Sequence, residues 1–334
     1  MKLSERKLKL PTRNAKKLKW GVAGCGKFME QTFLPTLMQL KKSKLVSVYS
    51  SSKTRADFIA DKFSAANSFS DFDLFLQSGF DALYIGSNNA DHYEQGIKAA
   101  RAKKNILCEK PLALNSAQAE EMVRVCNENN VSLSVNYVHR FHPLVVKAKE
   151  LITREMIGKI VNININFNID LPPSDNFRFK KNLSGGGALR DLGTHMIDLM
   201  RYFGGEIEDI KGFVDNVIYK SEVDDYSTAV IKFQDSGYGS FSVSFNAKKS
   251  FNRIEIVGFK GAISIDSLIG SRQSSAKLTI DLVGEGKKAF RRRANKMIHL
   301  LKSVQDSFLS NSTPSVTGED GLVNLKLMEK LELQ

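Results

Sequence analysis

The chain has 334 residues, 42% of them hydrophobic and 25% charged, a balance that excludes a disordered protein and leaves length for two cores, because single cores stop growing at roughly 250 to 300 residues. No apolar run reaches the length of about 18 residues that a membrane helix needs, and the formal net charge of +13 is concentrated at one end. Lys2, Arg6, Lys7, Lys9, Arg13, Lys16, Lys17 and Lys19 face a single acid, Glu5, over the first nineteen residues, which leaves +6 for the remainder.

Residues 1–18 therefore read as a solvated basic tail. They lack the apolar centre of a signal peptide, and neither nucleic acid nor a membrane is expected as a partner. Three cysteines, Cys25, Cys108 and Cys126, show no CxxC spacing. That pattern suits reduced thiols in the cytoplasm better than disulfides or a zinc site.

From Lys19 onward, short apolar runs (LKWGVAG, LVSVYS, DALYIGS, KNILCEK, VSLSVNY) alternate with helical stretches such as 91–103 and 116–129. Strand, helix and strand repeated in this way predict a doubly wound parallel sheet over 19–142, buried on both faces. The first turn, GVAGCGKFME, supplies Gly24 and Gly26 with Lys27 and Phe28 behind them, a partial dinucleotide fingerprint. Its third position holds Met29, which implies a wider gap between helix and strand.

Downstream, VYSSSKTRAD has no acid to hold the ribose hydroxyls of NAD. Ser50, Ser51, Ser52, Lys53 and Arg55 suit a 2′-phosphate instead, so NADP is the preferred cofactor and NAD the alternative, although Ser52 also fits a helix N-cap. Glu109-Lys110-Pro111 follows a buried run at the carboxyl edge where such sheets bind ligands. Pro111 restricts the direction in which Lys110 leaves the strand.

The second half, 143–334, opens with IVNININFNID, whose alternation puts Ile163, Ile165, Phe167 and Ile169 on one face and Asn162, Asn164, Asn166 and Asn168 on the other. STAVIKF, GSFSVSF and RIEIVG also read as strands. Leu189, Leu192, Met196 and Leu199 mark one stripe of a helix ending at Gly204-Gly205, with Asp191 and His195 sharing another face. In front of it, Gly185, Gly186 and Gly187 permit positive φ and close approach to a ligand. His139 and His142 have no spacing that supports a metal site, and no metal is expected.

Gly24-Cys25-Gly26, SNNADHYEQGIKAARAKKNILCEKPLAL from Ser87, HRFHP from His139, SGGGALRDLGTHMIDLM from Ser184 and VTGEDGL from Val316 together resemble the Gfo/Idh/MocA family, the group of glucose-fructose oxidoreductase and inositol dehydrogenase. The resemblance implies a Rossmann domain followed by a C-terminal α/β domain with an open, mainly antiparallel sheet, through which such proteins associate as homo-oligomers (dimers or tetramers). It implies that Lys110, Asp191 and His195 form the catalytic group. It places Asn89, His92, Glu109 and Arg140 near the cofactor and Arg178 at the substrate.

The expected activity is hydride transfer between a nicotinamide and a carbinol or ketone carbon of a sugar, cyclitol or nucleotide-linked sugar. His195 would exchange the hydroxyl proton, Lys110 would steady the alkoxide, and Asp191 would orient His195 or bond a neighbouring hydroxyl. Reduction of an anhydro-keto sugar or oxidation of a dihydrodiol is the alternative within the enzyme class. A cofactor-sensing regulator without catalysis is the alternative outside it.

Overall fold

The structure is a computed structural model that describes residues 17–269 and 275–334. The basic tail up to residue 16 lies outside the described residues. Six strands, β1 (Leu18–Ala23), β2 (Ser43–Tyr49), β3 (Asn67–Phe69), β4 (Ala82–Ile85), β5 (Asn105–Cys108) and β6 (Leu133–Val135), form a parallel sheet in the order β3-β2-β1-β4-β5-β6. The order reverses between β1 and β4, and the crevice above that point is where such sheets take ligands. The short β3 is not evident from sequence, since Asn67-Ser68-Phe69 offers a single apolar residue.

Alternate residues of these strands feed two cores. Trp20, Val22 and Tyr84 pack with Phe33 and Leu37 on one face, while Leu83, Ile85, Ile106 and Cys108 pack with Phe75, Ile97 and Met122 on the other. The first core is completed from the far end of the chain: Met297, Leu301 and Phe308, on the helix Lys296–Ser310, lie against the Trp20 side. A hydrogen-bonded string fixes this return, with Trp20 Nε1 donating to Ser43 Oγ at 3.1 Å and Ser43 Oγ donating to Gln305 at 2.8 Å. Cys25, Cys108 and Cys126 are buried free thiols.

The second sheet has eight strands: β7 (Ile160–Asp170), β8 (Ile207–Asp215), β9 (Tyr226–Phe233), β10 (Tyr238–Ser244), β11 (Asn246–Gly258), β12 (Gly261–Asp266), β13 (Ala276–Leu282) and β14 (Gly286–Arg292). They run in the order β14-β13-β12-β11-β7-β10-β9-β8, and every pairing is antiparallel except β7 with β10. Ile163, Ile165 and Phe167 of β7 are buried, as their alternation predicts.

The asparagine row occupies the other face, and its register continues across the sheet. Ser240, Ser242 and Ser244 stand opposite Asn164, Asn166 and Asn168, with Ser242 and Ser244 donating to Asn166 and Asn168 at 2.7 and 2.9 Å. Among the described residues no helix is long and apolar enough to cross a membrane.

Candidate active site

The site grows from two helices that start with the same irregularity. After β1, Gly24 has φ +89°, and a Cβ there would lie 2.4 Å from the backbone nitrogen of Ser87, so the turn requires glycine. A Cβ at Gly26 would meet nothing within 4 Å, leaving open space on the ligand side. The helix over 27–37 begins here and contains a π-helical stretch, Met29–Phe33, with Met29 buried. Pro35 stands two residues past its end, in the first turn of the α-helical segment Leu34–Leu37, and has no N–H to donate back into the preceding turn. The wider turn accommodates Met29 where the fingerprint has a small residue.

The second helix, over 188–204, also starts with a π-helical stretch, Leu189–Gly193, which contains Asp191. Its first N–H groups are capped from another element. Asp224, before β9, accepts from Gly187 and Leu189 at 2.7 and 2.8 Å through its carboxylate and from Ala188 at 3.0 Å through its carbonyl. A Cβ at Gly187 would fall 1.9 Å from that carbonyl oxygen, so this glycine admits protein backbone rather than a ligand. Gly185 has φ +81°, as a left-handed turn requires, and Gly186 lines the cleft.

Between the two helices lies a cleft of about 1150 Å³ lined by both domains. It exceeds the roughly 300 to 1,000 Å³ of a site for one small ligand. Lys110, Asp191 and His195 meet inside it. The Lys110 ammonium donates to the Asp191 carbonyl at 2.8 Å and pairs with its carboxylate, and Arg178 Nε donates to the other carboxylate oxygen at 3.2 Å.

Burial alone would raise the Asp191 carboxyl, but the charges of Lys110 and Arg178 and the Lys110 hydrogen bond hold it well below the usual carboxylate range. Asp191 thus fixes Lys110 rather than His195, whose Nδ1 is buried without a partner. Burial, reinforced by the Lys110 charge, pushes His195 well below its ordinary value, so its imidazole is neutral. Glu109 accepts from Tyr84 Oη at 2.7 Å and from Asn136, and burial raises its carboxyl.

The other expected positions divide. Gly24, Gly26, Lys27, Phe28, Ser50, Ser51, Asn89, Glu109 and Arg178 line the cleft. Asn89 also donates to the Ser184 carbonyl at 2.8 Å, tying the loop after β4 to the glycine segment. Ser52 caps the helix Lys53–Phe63, accepting from Arg55 N–H at 3.3 Å. Lys53 pairs with Asp57, while Arg55 donates to the Cys25 carbonyl at 2.9 Å and pairs with Glu30.

Five of the expected positions lie away from the cleft lining: Ser52, Lys53 and Arg55, and with them His92 and Arg140. His92 is fully buried between the carbonyls of Pro111 and Ser87. Arg140 is bidentate to Asp198, at 2.9 and 2.6 Å, and reaches Asp320 at 3.1 Å, which makes it a strut between the Rossmann edge and the helices behind His195. Sequence reasoning did not select Asn136, His139, His142 or Lys296, all of which line the cleft. His139 packs its ring edgewise on His195 with centroids 4.5 Å apart. Among the described residues no cluster of three His, Cys, Asp or Glu side chains is arranged to hold a metal.

A dinucleotide fits this arrangement. The empty space over Gly26 lies at the start of a helix whose amide dipoles favour phosphate, and His195 lines the same cleft. Comparison with known proteins agrees. Residues 18–137 match the family model described as "Oxidoreductase family, NAD-binding Rossmann fold", and residues 145–264 match "GFO/IDH/MocA C-terminal domain".

Myo-inositol 2-dehydrogenase of Thermotoga maritima is 30% identical over 266 residues, 76% of this chain and 77% of the relative. The NADP(+) scyllo-inositol 2-dehydrogenase of Bacillus subtilis is 28% identical over 315 residues, 90% and 92% of the two chains. Levoglucosan dehydrogenase, solved in complex with NADH and levoglucosan, superposes with a TM-score of 0.86 at 22% identity, covering 95% of this chain and 96% of that one.

Proposed function

The chain belongs to the GFO/IDH/MocA oxidoreductase family, and on that premise we propose that Lys110, Asp191 and His195 carry its chemistry. The protein is an NAD(P)-dependent oxidoreductase that acts on hydroxyl groups of sugars or cyclitols. The observation that carries the residue assignment is the ion pair of Lys110 with Asp191 beside a neutral, buried His195 with an unpartnered nitrogen.

A bound nicotinamide supplies the hydride acceptor or donor. The side chains supply the rest. Neutral His195 accepts the hydroxyl proton as a carbinol is oxidised and returns it in reduction. Lys110 lies next to it as a fixed positive charge for the oxygen that loses the proton, and Asp191 holds that charge in place. Asp191 is therefore a positioning residue for Lys110, and Arg178 closes the same carboxylate from the other side. A constellation of this completeness favours catalysis over a sensing role.

We assign the cofactor preference to NADP. No acid directly follows β2, and Ser50 and Ser51 line the cleft. Lys53 and Arg55 stand just beyond, each already paired with an acid, which makes Ser51 the position to test. A carboxylate there repels a 2′-phosphate and accepts from ribose hydroxyls. Fluorescence titration of wild type and Ser51→Asp with NADPH and NADH measures this: the wild type binds NADPH more tightly, and the variant moves the ratio by about tenfold or more toward NADH. An unmoved ratio refutes the assignment.

The asparagine and serine face of the second sheet is the proposed contact between copies of the chain, and its polar register implies a hydrated interface. A cytoplasmic location accords with three reduced thiols.

A further inference from the structure

Lys296 is a cation of the cleft that the proposed chemistry leaves unused. It opens the helix Lys296–Ser310, 105 residues in sequence from Asp191 and 186 from Lys110. Its ammonium donates to His139 Nδ1 at 3.1 Å and to the Leu268 carbonyl at 3.0 Å. The third N–H is left for another acceptor.

Lys110 and Arg178 are both bonded to Asp191, but among the described residues no carboxylate pairs with Lys296. The residues beyond Leu268 that fall outside the description are Gly270, Ser271, Arg272, Gln273 and Ser274, which include no acid. Burial pulls the Lys296 pKa down to about 8, so the group is still cationic at neutral pH. Of the charged side chains that line the cleft, Lys27, Lys110, Arg178 and Lys296 outnumber Asp91, Asp191 and the buried Glu109. A positive excess in a low-dielectric cleft attracts negative charge, and a partly desolvated ammonium is stabilised by a ligand that neutralises it.

The position of this charge identifies what it meets. Contacts run from Arg178 through Asp191 to Lys110, and from His195 through the edge of the His139 ring to Lys296. By accepting from Lys296, His139 Nδ1 leaves the ring proton on Nε2. The ammonium therefore stands one imidazole away from His195, at the reacting end of the cleft.

Resting on the oxidoreductase reading of this cleft, we propose that Lys296 binds an anionic oxygen on the substrate, so that the preferred substrates are sugars or cyclitols carrying a carboxylate or phosphate rather than neutral polyols. The other source of anionic oxygen is the diphosphate of the cofactor, and the test separates the two.

The intact chain, saturated with NADP⁺, is titrated calorimetrically with D-glucuronate, D-glucose 6-phosphate and D-glucose. The same titrations are run on Lys296→Met, which keeps the apolar stem, and Lys296→Arg, which keeps the charge, with circular dichroism to verify folding. NADPH affinity is measured in parallel by fluorescence. At least one anion binds the wild type about tenfold or more tightly than glucose, loses roughly tenfold to a hundredfold in Lys296→Met, and regains most of it in Lys296→Arg. NADPH affinity changes by less than about threefold.

Glucose binding as tightly as both anions overturns the proposal. So does a Lys296→Met variant that weakens NADPH while leaving the anions unaffected, which gives the ammonium to the cofactor. Anion binding that depends on Lys296, with no turnover of any polyol, upholds the anion site and removes the oxidoreductase reading beneath it.

Discussion

Burial and neighbouring charge together set the charge of His195, Asp191, His139 and Lys296, and the balance differs from one neighbour to the next. His195 is neutral because an imidazolium would be desolvated next to Lys110, whereas Asp191 stays ionised because two cations outweigh the same desolvation. His139 is neutral through burial and the Lys296 charge, and burial takes His142 down to about 4. Lys296 is the group facing these histidines that changes charge just above neutrality, at about 8. It is protonated below that pH and loses its charge above it. For an anionic polyol, kcat/KM accordingly falls as pH rises through about 8, and Lys296→Met removes that alkaline limb. A pH–rate profile on both proteins measures it, and an identical limb in the two would assign the titration elsewhere.

The residues of this site were unequally legible. The spacing of Asp191 and His195 on one helical face, and Lys110 at a strand end, can be read along the chain. The bonding of Asp191 to Lys110 and Arg178 cannot, because Lys110 is 81 residues away and only the fold brings it there. For the same reason Arg55 looks available in sequence although Glu30 pairs with it, whereas the pairing of Lys53 with Asp57 is a local one between successive turns of one helix. Arg140, which the family resemblance puts near the cofactor, has its guanidinium bonded to Asp198 and Asp320.

At the level of elements, both ligand-facing helices open with a π-helical stretch, and both follow a glycine turn. Nothing in local propensity announces this, since the wider turn answers a buried Met29 and Pro35 in one case and capping by Asp224 in the other. The long strands with strict alternation, β7 above all, were legible because a buried face and a polar face leave a period of two. β14 was not, because Gly286–Arg292 is exposed along its whole length and carries no buried stripe.

Within the glycine run before Asp191, Gly185 has the expected positive φ and Gly186 lines the cleft, but Gly187 makes room for the Asp224 backbone rather than a ligand, and that geometry is testable. Gly187→Ala drives a methyl into the Asp224 carbonyl and displaces the cap. It destabilises the protein by about 1 to 3 kcal/mol or more. A shift in the denaturant midpoint measures this, and an unchanged midpoint would mean that the Asp224 segment is not held against Gly187.

Across the whole molecule, the chain crosses between its two sheets more than once. It leaves the parallel sheet after β6, builds the eight-stranded sheet, and returns through Lys296–Ser310 to complete the core around Trp20. The return also brings Lys296 to His139, so one helix both seals the Rossmann core and furnishes the cleft. The outer face of the second sheet runs from Phe213 through Thr228, Ser242, Asn166 and Arg253 to Asp266, opposite one another in register. Ser242→Arg places a second guanidinium near Arg253 in the middle of that face. Sedimentation should show an oligomer for the wild type and a smaller species for the variant; the same assembly in both would exclude this face as the contact.

The whole arrangement, two domains lining one cleft, suits the removal of a hydride from a carbinol carbon and a proton from its oxygen. The most direct test is steady-state oxidation of a turned-over sugar or cyclitol with NADP⁺ by wild type and His195→Ala, together with NADPH binding to both. Loss of about 10² to 10⁴ in kcat with cofactor affinity intact is the expected result. Equal kcat in the two proteins would contradict the assignment of His195 as the group that exchanges the substrate proton.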